Sequence, residues 1–225
     1  MTQERSKKTR KDLLLAASRL INQRSWDHSS VSSIAEEAGC TTGAMYFHFS
    51  EKEKIALTII DEQNRRSQEA AAEILKRNLP AVETILQIVA RFTKDLLDDP
   101  LIEAGVRLTT QPQMFDKPPI LPWASWTAMH VQNLSRGIQE GDVKPDIDVR
   151  RYATHFTGAY AGIFVLSGLT TGLVDLRERV SDLSIILISS YVVPEKQEYW
   201  AGRALEICSG KQSPLRLSNL VLLKH

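Results

Sequence analysis

The sequence holds two cysteines in 225 residues, Cys40 and Cys208, far apart. That excludes a disulfide framework and a thiolate zinc site, and it fits a reducing compartment. Histidine is little richer. His130 and His155 sit on separate expected helices, with no HxxxH or HxxE partner nearby, and each reads as a satisfied structural histidine. Neither a glycine-rich phosphate loop nor a G-x-S-x-G elbow occurs. No catalytic residue, metal or cofactor is therefore assigned, and a small-molecule-processing all-α enzyme is a distant alternative. No apolar run is long enough to span a bilayer, and none near Met1 has the form of a signal peptide. A cytoplasmic protein without a membrane partner is expected. The formal net charge is +1, so no global pull toward nucleic acid exists.

What is present is organised around residues 30–49, SVSSIAEEAGCTTGAMYFHF. Val31, Ile34, Ala35 and Ala38 fall at helical spacing and share one apolar face. Ser29 or Ser30 caps that helix, because a hydroxyl accepts from the free N–H groups of the first turn. Gly39 stops it, since glycine enters the left-handed conformation without a Cβ clash. Thr41 or Thr42 starts a second helix of barely two turns, ending in Tyr46, Phe47, His48 and Phe49. Trp26 is expected in the small core beneath, with Phe47 and Phe49 as packing residues. Charge is unevenly spread. From Met1 to Arg24 seven basic residues stand against Glu4 and Asp12, a plausible phosphate-contacting arm ahead of two short helices.

The run T-T-G-A-M-Y-F-H-F, followed by Lys52-Glu53-Lys54, resembles the DNA-binding domain of TetR-type bacterial repressors. The resemblance implies a helix-turn-helix whose second helix enters the major groove by its N-terminal residues, Thr41, Thr42 and Gly43. A threonine donates, accepts, and meets a thymine methyl with its own methyl. Tyr46 and His48 then reach phosphate oxygens, which fix register without reading sequence. Lys7, Arg10, Ser30 and Lys52 complete the expected DNA contacts; Lys52 would use the positive start of its helix. Close relatives read T-K-G where this chain reads T-T-G, so no lysine base contact carries over and the operator sequence is left open.

The remainder reads as helices, which makes the fold class all-α: a three-helix N-terminal domain, then a helical bundle. A first amphipathic helix covers 6–24. Ser50 and Glu53 have capping-box spacing, and a long helix follows over 51–78. Further helices are expected over 81–97, 101–109, 122–140, 149–172, 176–193 and 195–208. Asp98-Asp99-Pro100 and Pro194 serve as stops, and Asp146 or Asp148 as a cap. Residues 110–122 hold four of the nine prolines and form a loop bordering a functional opening. The division expected is 1–50 for DNA and 51–225 for ligand and dimerisation. Residues 149–172 are rich in glycine, alanine and serine, which let another helix approach closely. With the apolar helix 176–193 they are expected to pair across a two-fold axis into a four-helix interface.

This second half is similar to γ-butyrolactone-type autoregulator receptors of actinobacteria. The carrying residues are AGVRL at 104–108, the proline-rich loop, Trp126 within ASWT, and GDVKPDIDV at 141–149. The resemblance implies a homodimer on pseudo-palindromic double-stranded operator DNA, released when a small lipophilic lactone, butenolide or furan signal fills a pocket, and controlling secondary-metabolite genes. A pseudo-receptor or efflux regulator answering an antibiotic or other lipophilic compound is the alternative. Trp126 matches the family's pocket tryptophan. Gln63 is expected to supply an amide, with Val89, Phe92, Tyr160 and Phe164 as walls. Filling the pocket would shift the long helix 51–78 and change the spacing of the two recognition helices.

Overall fold

The computed structural model describes residues 3–24, 26–111, 115–117 and 119–209. The expectation for the tail beyond Ser209, an extra helical turn or a loose end, lies outside them, as does part of the proline-rich loop. Ten α-helices run in chain order among the described residues: α1 Gln3–Gln23, α2 Val31–Glu37, α3 Thr42–His48, α4 Lys52–Leu75, α5 Ala81–Asp98, α6 Pro100–Thr109, α7 Leu121–Gln139, α8 Val149–Thr171, α9 Leu176–Tyr191 and α10 Gln197–Ser209. Short 3-10 turns at Trp26–His28 and Pro194–Lys196 complete them. The described residues hold no strand; Val143 and Val192 make one isolated antiparallel bridge.

Helix ends follow their chemistry. Asp148 caps α8, its Oδ1 accepting from the N–H groups of Arg150 and Arg151 at 3.1 Å each. Asp99 caps α6 from Leu101 N–H at 2.9 Å, with Pro100 at the first helical position. The long helix α4 ends at Leu75 rather than 78, because Asn78 takes a left-handed φ of 51°. The expected Ser50–Glu53 box is not formed. The helix begins at Lys52, one residue too late for Ser50 to be its cap, and Ser50 Oγ accepts from Lys54 Nζ at 3.0 Å instead.

The chain folds into two compact units. The first comprises residues 1–69 and 94–122, the second 70–93 and 123–225. The first unit has a continuous apolar core. Leu13, Leu20 and Ile21 of α1 meet Ile34 of α2, Met45 of α3, Ile55 and Ile59 of α4, and Leu101 and Leu108 of α6. Trp26 joins this core at 7 % exposure, as its sequence context required. Helix α6 comes close to α4 at Gly105, where an added Cβ would lie 2.5 Å from Gln63 Cβ. Glycine is needed there for space. Gly105→Ala is expected to cost about 1–3 kcal/mol as an overpacked contact. The readout is a lower urea midpoint with an unchanged slope; an unchanged midpoint would mean the two helices part at no cost.

In the second unit Ala71, Ile74 and Ile88 form a small core with Leu79, Trp126 and Met129 packed against it. Gly141, at φ 72°, closes α7: its N–H reaches Ile138 O, and Asp142 N–H reaches Gly137 O. Helix α9 packs on both α8 and α10.

Candidate functional sites

The first unit presents the helix pair α2–α3. Ser30, not Ser29, caps α2, its Oγ accepting from Ser33 N–H at 3.0 Å; Ser29 is fully buried. The turn is closed by two crossed bonds, Gly39 N–H to Glu36 O and Cys40 N–H to Ala35 O, with Gly39 at φ 64°. This Schellman geometry needs a left-handed residue, and glycine supplies it. Thr41 then caps α3, accepting from Ala44 N–H at 3.1 Å. Its hydroxyl proton stays available to an acceptor. Thr42 and Gly43, the first residues of α3, are exposed.

Met45 and Phe49, four apart, anchor α3 at 0 % and 3 % exposure. Phe47 lies between them in sequence and on the opposite side of the helix, so it points outward at 74 % exposure. The expectation that Phe47 packs inside is thus corrected; its ring meets His48 edge-on at 5.2 Å. Tyr46 is exposed and His48 half-buried. Lys7 is exposed. Arg10 is also exposed and lays its guanidinium over the Phe49 ring at 5.0 Å. Arg10, Tyr46, Phe47, His48 and Lys54 share one open concavity, with Asp61 also on its wall. Lys52 departs from its expected role. Its Nζ donates to Trp26 O at 2.6 Å and stands 4.2 Å from the Trp26 ring centre, which ties α4 to the preceding turn.

The second unit holds a narrow apolar cavity, with about 20 Å³ of free space, lined by Val89 and Phe92 of α5, Trp123, Trp126 and His130 of α7, and Phe156, Thr157 and Tyr160 of α8. The Trp126 ring lies 4.6 Å from Phe92, and Phe92 lies 5.8 Å from Tyr160. Thr93 Oγ1 donates to Val89 O and is 2.8 Å from the Tyr160 hydroxyl. With its one proton so used, Thr93 accepts the proton of Tyr160. The Tyr160 oxygen keeps a lone pair for a ligand, and burial holds the phenol well above its usual range and hence neutral. Burial also pushes His130 down to about 4, so its imidazole is neutral at physiological pH.

Four of the six residues expected in the pocket are thereby brought together: Val89, Phe92, Trp126 and Tyr160. Phe164, one helical turn beyond Tyr160, is buried at 2 % but does not line the cavity. Gln63 does not line it either. It belongs to the first unit, pressed against Gly105, with Nε2 donating to Ser67 Oγ at 3.0 Å. The stretch of α4 in the second unit starts only at Ala70. Trp123, His130, Phe156 and Thr157 were missed. The first two were legible, since Trp123, Trp126 and His130 are spaced i, i+3, i+7 and so share one helix face. His130, expected as a structural histidine, lines the cavity and meets the Phe156 ring edge-on at 4.3 Å. The described residues contain no cluster of His, Cys, Asp and Glu able to hold a metal, and no helix long and apolar enough to cross a membrane.

Residues 13–59 match the bacterial regulatory proteins of the tetR family, and residues 79–194 match the tetracyclin repressor-like C-terminal domain. This chain belongs to the TetR family. The A-factor receptor protein of Streptomyces griseus is 26 % identical over 224 residues, which is 96 % of this chain and 78 % of that protein. A crystal structure of a γ-butyrolactone receptor superposes with a TM-score of 0.80 at 26 % identity, covering 92 % of this chain and all of that one. CprB of Streptomyces coelicolor, solved in complex with its biological operator sequence, gives 0.79 at 26 % identity with the same coverage. Near full-length likeness to proteins of this kind places the TetR chain in the γ-butyrolactone receptor branch and on the side of regulators rather than enzymes.

Proposed function

We propose that this TetR-family protein is a ligand-responsive transcriptional repressor. It binds a pseudo-palindromic operator as a homodimer and leaves it when a small lipophilic signal of γ-butyrolactone, butenolide or furan type fills the cavity of the second unit. Residues 1–50 serve DNA; residues 51–225 serve the ligand and the dimer. The observation that carries the reading is one chain holding both a helix pair that exposes Thr42, Gly43 and Tyr46 and a cavity walled by Trp126 and Phe92. An apolar enclosure with few polar groups is what a small lipophilic ligand needs. Helix α4 contributes residues to both units, so a displacement of its far end is transmitted along hydrogen-bonded backbone. Release follows only if the ligand binds the DNA-free shape more tightly than the DNA-bound one.

Homodimer formation draws support from α8 and α9. The outer positions of α8 carry Gly158 and Gly162, where an added Cβ meets nothing within 4 Å. Leu166 and Leu169 follow at 54 % and 78 % exposure, and Ile186 of α9 at 64 %.

The DNA half is tested by selection from random duplexes. A pseudo-palindrome should be enriched, with half-sites about one helical turn apart or a multiple of it. Affinity should fall steeply with salt. Tyr46→Ala removes a phosphate contact and is expected to weaken all sequences alike, by about 3- to 10-fold. Thr42→Ala removes a base-edge contact worth about 1–3 kcal/mol of discrimination and is expected to change the ranking of sequences. If no motif emerges, the repressor reading is wrong. If Tyr46→Ala alters ranking rather than affinity, the assignment of roles along α3 is wrong.

A further inference from the structure

Helices α8 and α9 run side by side in opposite directions. At one end the Tyr152 hydroxyl reaches Ser190 O at 3.5 Å; at the other Ser167 Oγ donates to Asp175 Oδ1 at 2.6 Å. Each helix turns a stripe of exposed residues away from its buried side. On α8 the stripe is Arg151, His155, Gly158, Gly162, Leu166 and Leu169, opposite Ala153, Tyr160 and Phe164. On α9 it is Glu178, Asp182, Ile186 and Ser189, opposite Val180, Ser184 and Tyr191. Spacings of three and four residues keep each set on one side of its helix. Arg179 Nη2 donates to Thr170 Oγ1 at 3.2 Å across the seam between the helices. Each of these two residues lies at the edge of its own stripe, so the stripes flank one seam and form one surface.

The two ends of this surface differ in charge. Arg151 and His155 lie near the start of α8, and Glu178 and Asp182 near the start of α9. Antiparallel packing sets those starts at opposite ends, with Gly158, Gly162 and Ile186 between them. From Arg151 to Leu169 the surface extends about 27 Å. Among the described residues neither Arg151 nor the two carboxylates make an ion pair. Of the cations flanking Glu178 in sequence, Arg179 is held by Asp175 at 2.8 Å and Arg177 lies off the stripe. Burial, and then the charge of Glu178, push the Asp182 carboxyl above its ordinary range. The acidic end thus lacks the cation that would offset this repulsion.

We infer that this surface takes a second copy of the chain in one orientation, its two-fold axis lying in the surface and crossing the helices near Gly158 and Gly162. Such an axis exchanges the ends, so Arg151 and His155 meet the partner's Glu178 and Asp182, and the same contact forms twice. These pairs select the chain's own copy over other helical faces with an apolar stripe, because a face of different polarity meets like charges there. An axis running along the helices would instead set like ends together. The inference rests on the homodimer reading above and adds to it the direction of the axis and the residues that choose the partner.

The test uses two full-length variants with reversed ends. One carries Arg151→Glu and His155→Glu, the other Glu178→Lys and Asp182→Lys. Sedimentation of a labelled chain, alone and titrated with the other variant, gives each dimer Kd. Either variant alone is expected to have a dimer Kd at least about tenfold above wild type at low salt, since every end then meets its own sign. Added salt should narrow that gap. The mixture should form a heterodimer within about threefold of the wild-type Kd, because opposite signs face each other again at both ends. Should a reversed variant lose its helical circular dichroism, the neutral changes Arg151→Gln and Glu178→Gln replace it. The double neutral variant should then weaken the dimer no more than either single one, whereas additive losses overturn the inference. A wild-type protein that is monomeric at micromolar concentration overturns the homodimer reading and the inference with it. A wild-type dimer whose reversed variants self-associate as tightly leaves the homodimer reading standing and overturns the inference alone. So does a mixture that associates no better than either variant by itself.

Discussion

Trp126→Ala should leave the repressor on its operator at inducer concentrations that release the wild-type protein. A tryptophan offers about 150–250 Å² of contact surface. If half of that faces the ligand, about 25 cal/mol per Å² gives about 2.5 kcal/mol, or roughly 60-fold in Kd. The indole is half-buried and stacked at a tilt on Phe92 at 4.6 Å, so its loss also loosens the opposite wall. Operator affinity is expected to stay within about twofold, because every candidate DNA-contacting residue lies in the first compact unit while Trp126 lies in the second. Trp126→Phe preserves an aromatic face without the indole N–H. It should recover most of the response if the contact is apolar, and little if the N–H binds the ligand. The measurement is an operator-shift titration with inducer, beside a thermal melt to confirm that both variants are folded. Release of Trp126→Ala at the wild-type inducer concentration would place the pocket elsewhere.

The fold was legible where a residue acts through its own backbone. Gly39, Asp99, Pro100 and Asp148 each mark a helix boundary that the structure reproduces, because caps and left-handed stops are local chemistry. Phe47 was not legible, since on so short a helix inward and outward positions differ by a rotation that an aromatic tail does not reveal. Only Met45 and Phe49, spaced i and i+4, fix the buried side. Lys52 shows the same limit for charge: a cation at a helix start serves DNA or the fold equally well by sequence, and the nearby Trp26 carbonyl decides. Gln63 was read as an amide for a ligand from its polar surroundings in sequence; its Nε2 donates to Ser67, while its Oε1 is buried without a partner among the described residues. Its real neighbour, Gly105, lies on another helix. His130 was read as a structural histidine because the sequence shows no partner for it, whereas its place on the cavity wall follows from sharing a helix face with Trp123 and Trp126.

Leu166→Glu should convert the protein from a dimer to a monomer and with it abolish specific operator binding at concentrations where the wild type saturates. Leu166 is 54 % exposed, so the change is expected to alter the stability of the isolated chain by no more than about 0.5 kcal/mol. Its effect appears only when the face is covered. Gly158, Gly162, Leu166 and Leu169 recur at intervals of three to four on α8, which puts them along one outer stripe. The absence of any neighbour around Gly158 and Gly162 lets a second helix approach closely there. In a two-fold interface each substitution occurs twice. A carboxylate stripped of water costs several kcal/mol even after relaxation, so two of them are expected to raise the dimer Kd by at least about 10⁴-fold. A monomer then holds one recognition helix to one half-site and keeps only salt-sensitive, sequence-tolerant binding. Sedimentation gives the assembly state, and a competition shift against random duplex gives the specificity. A Leu166→Glu protein that sediments as a dimer, or a wild-type protein that is monomeric at micromolar concentration with its operator affinity intact, would remove α8 from the interface.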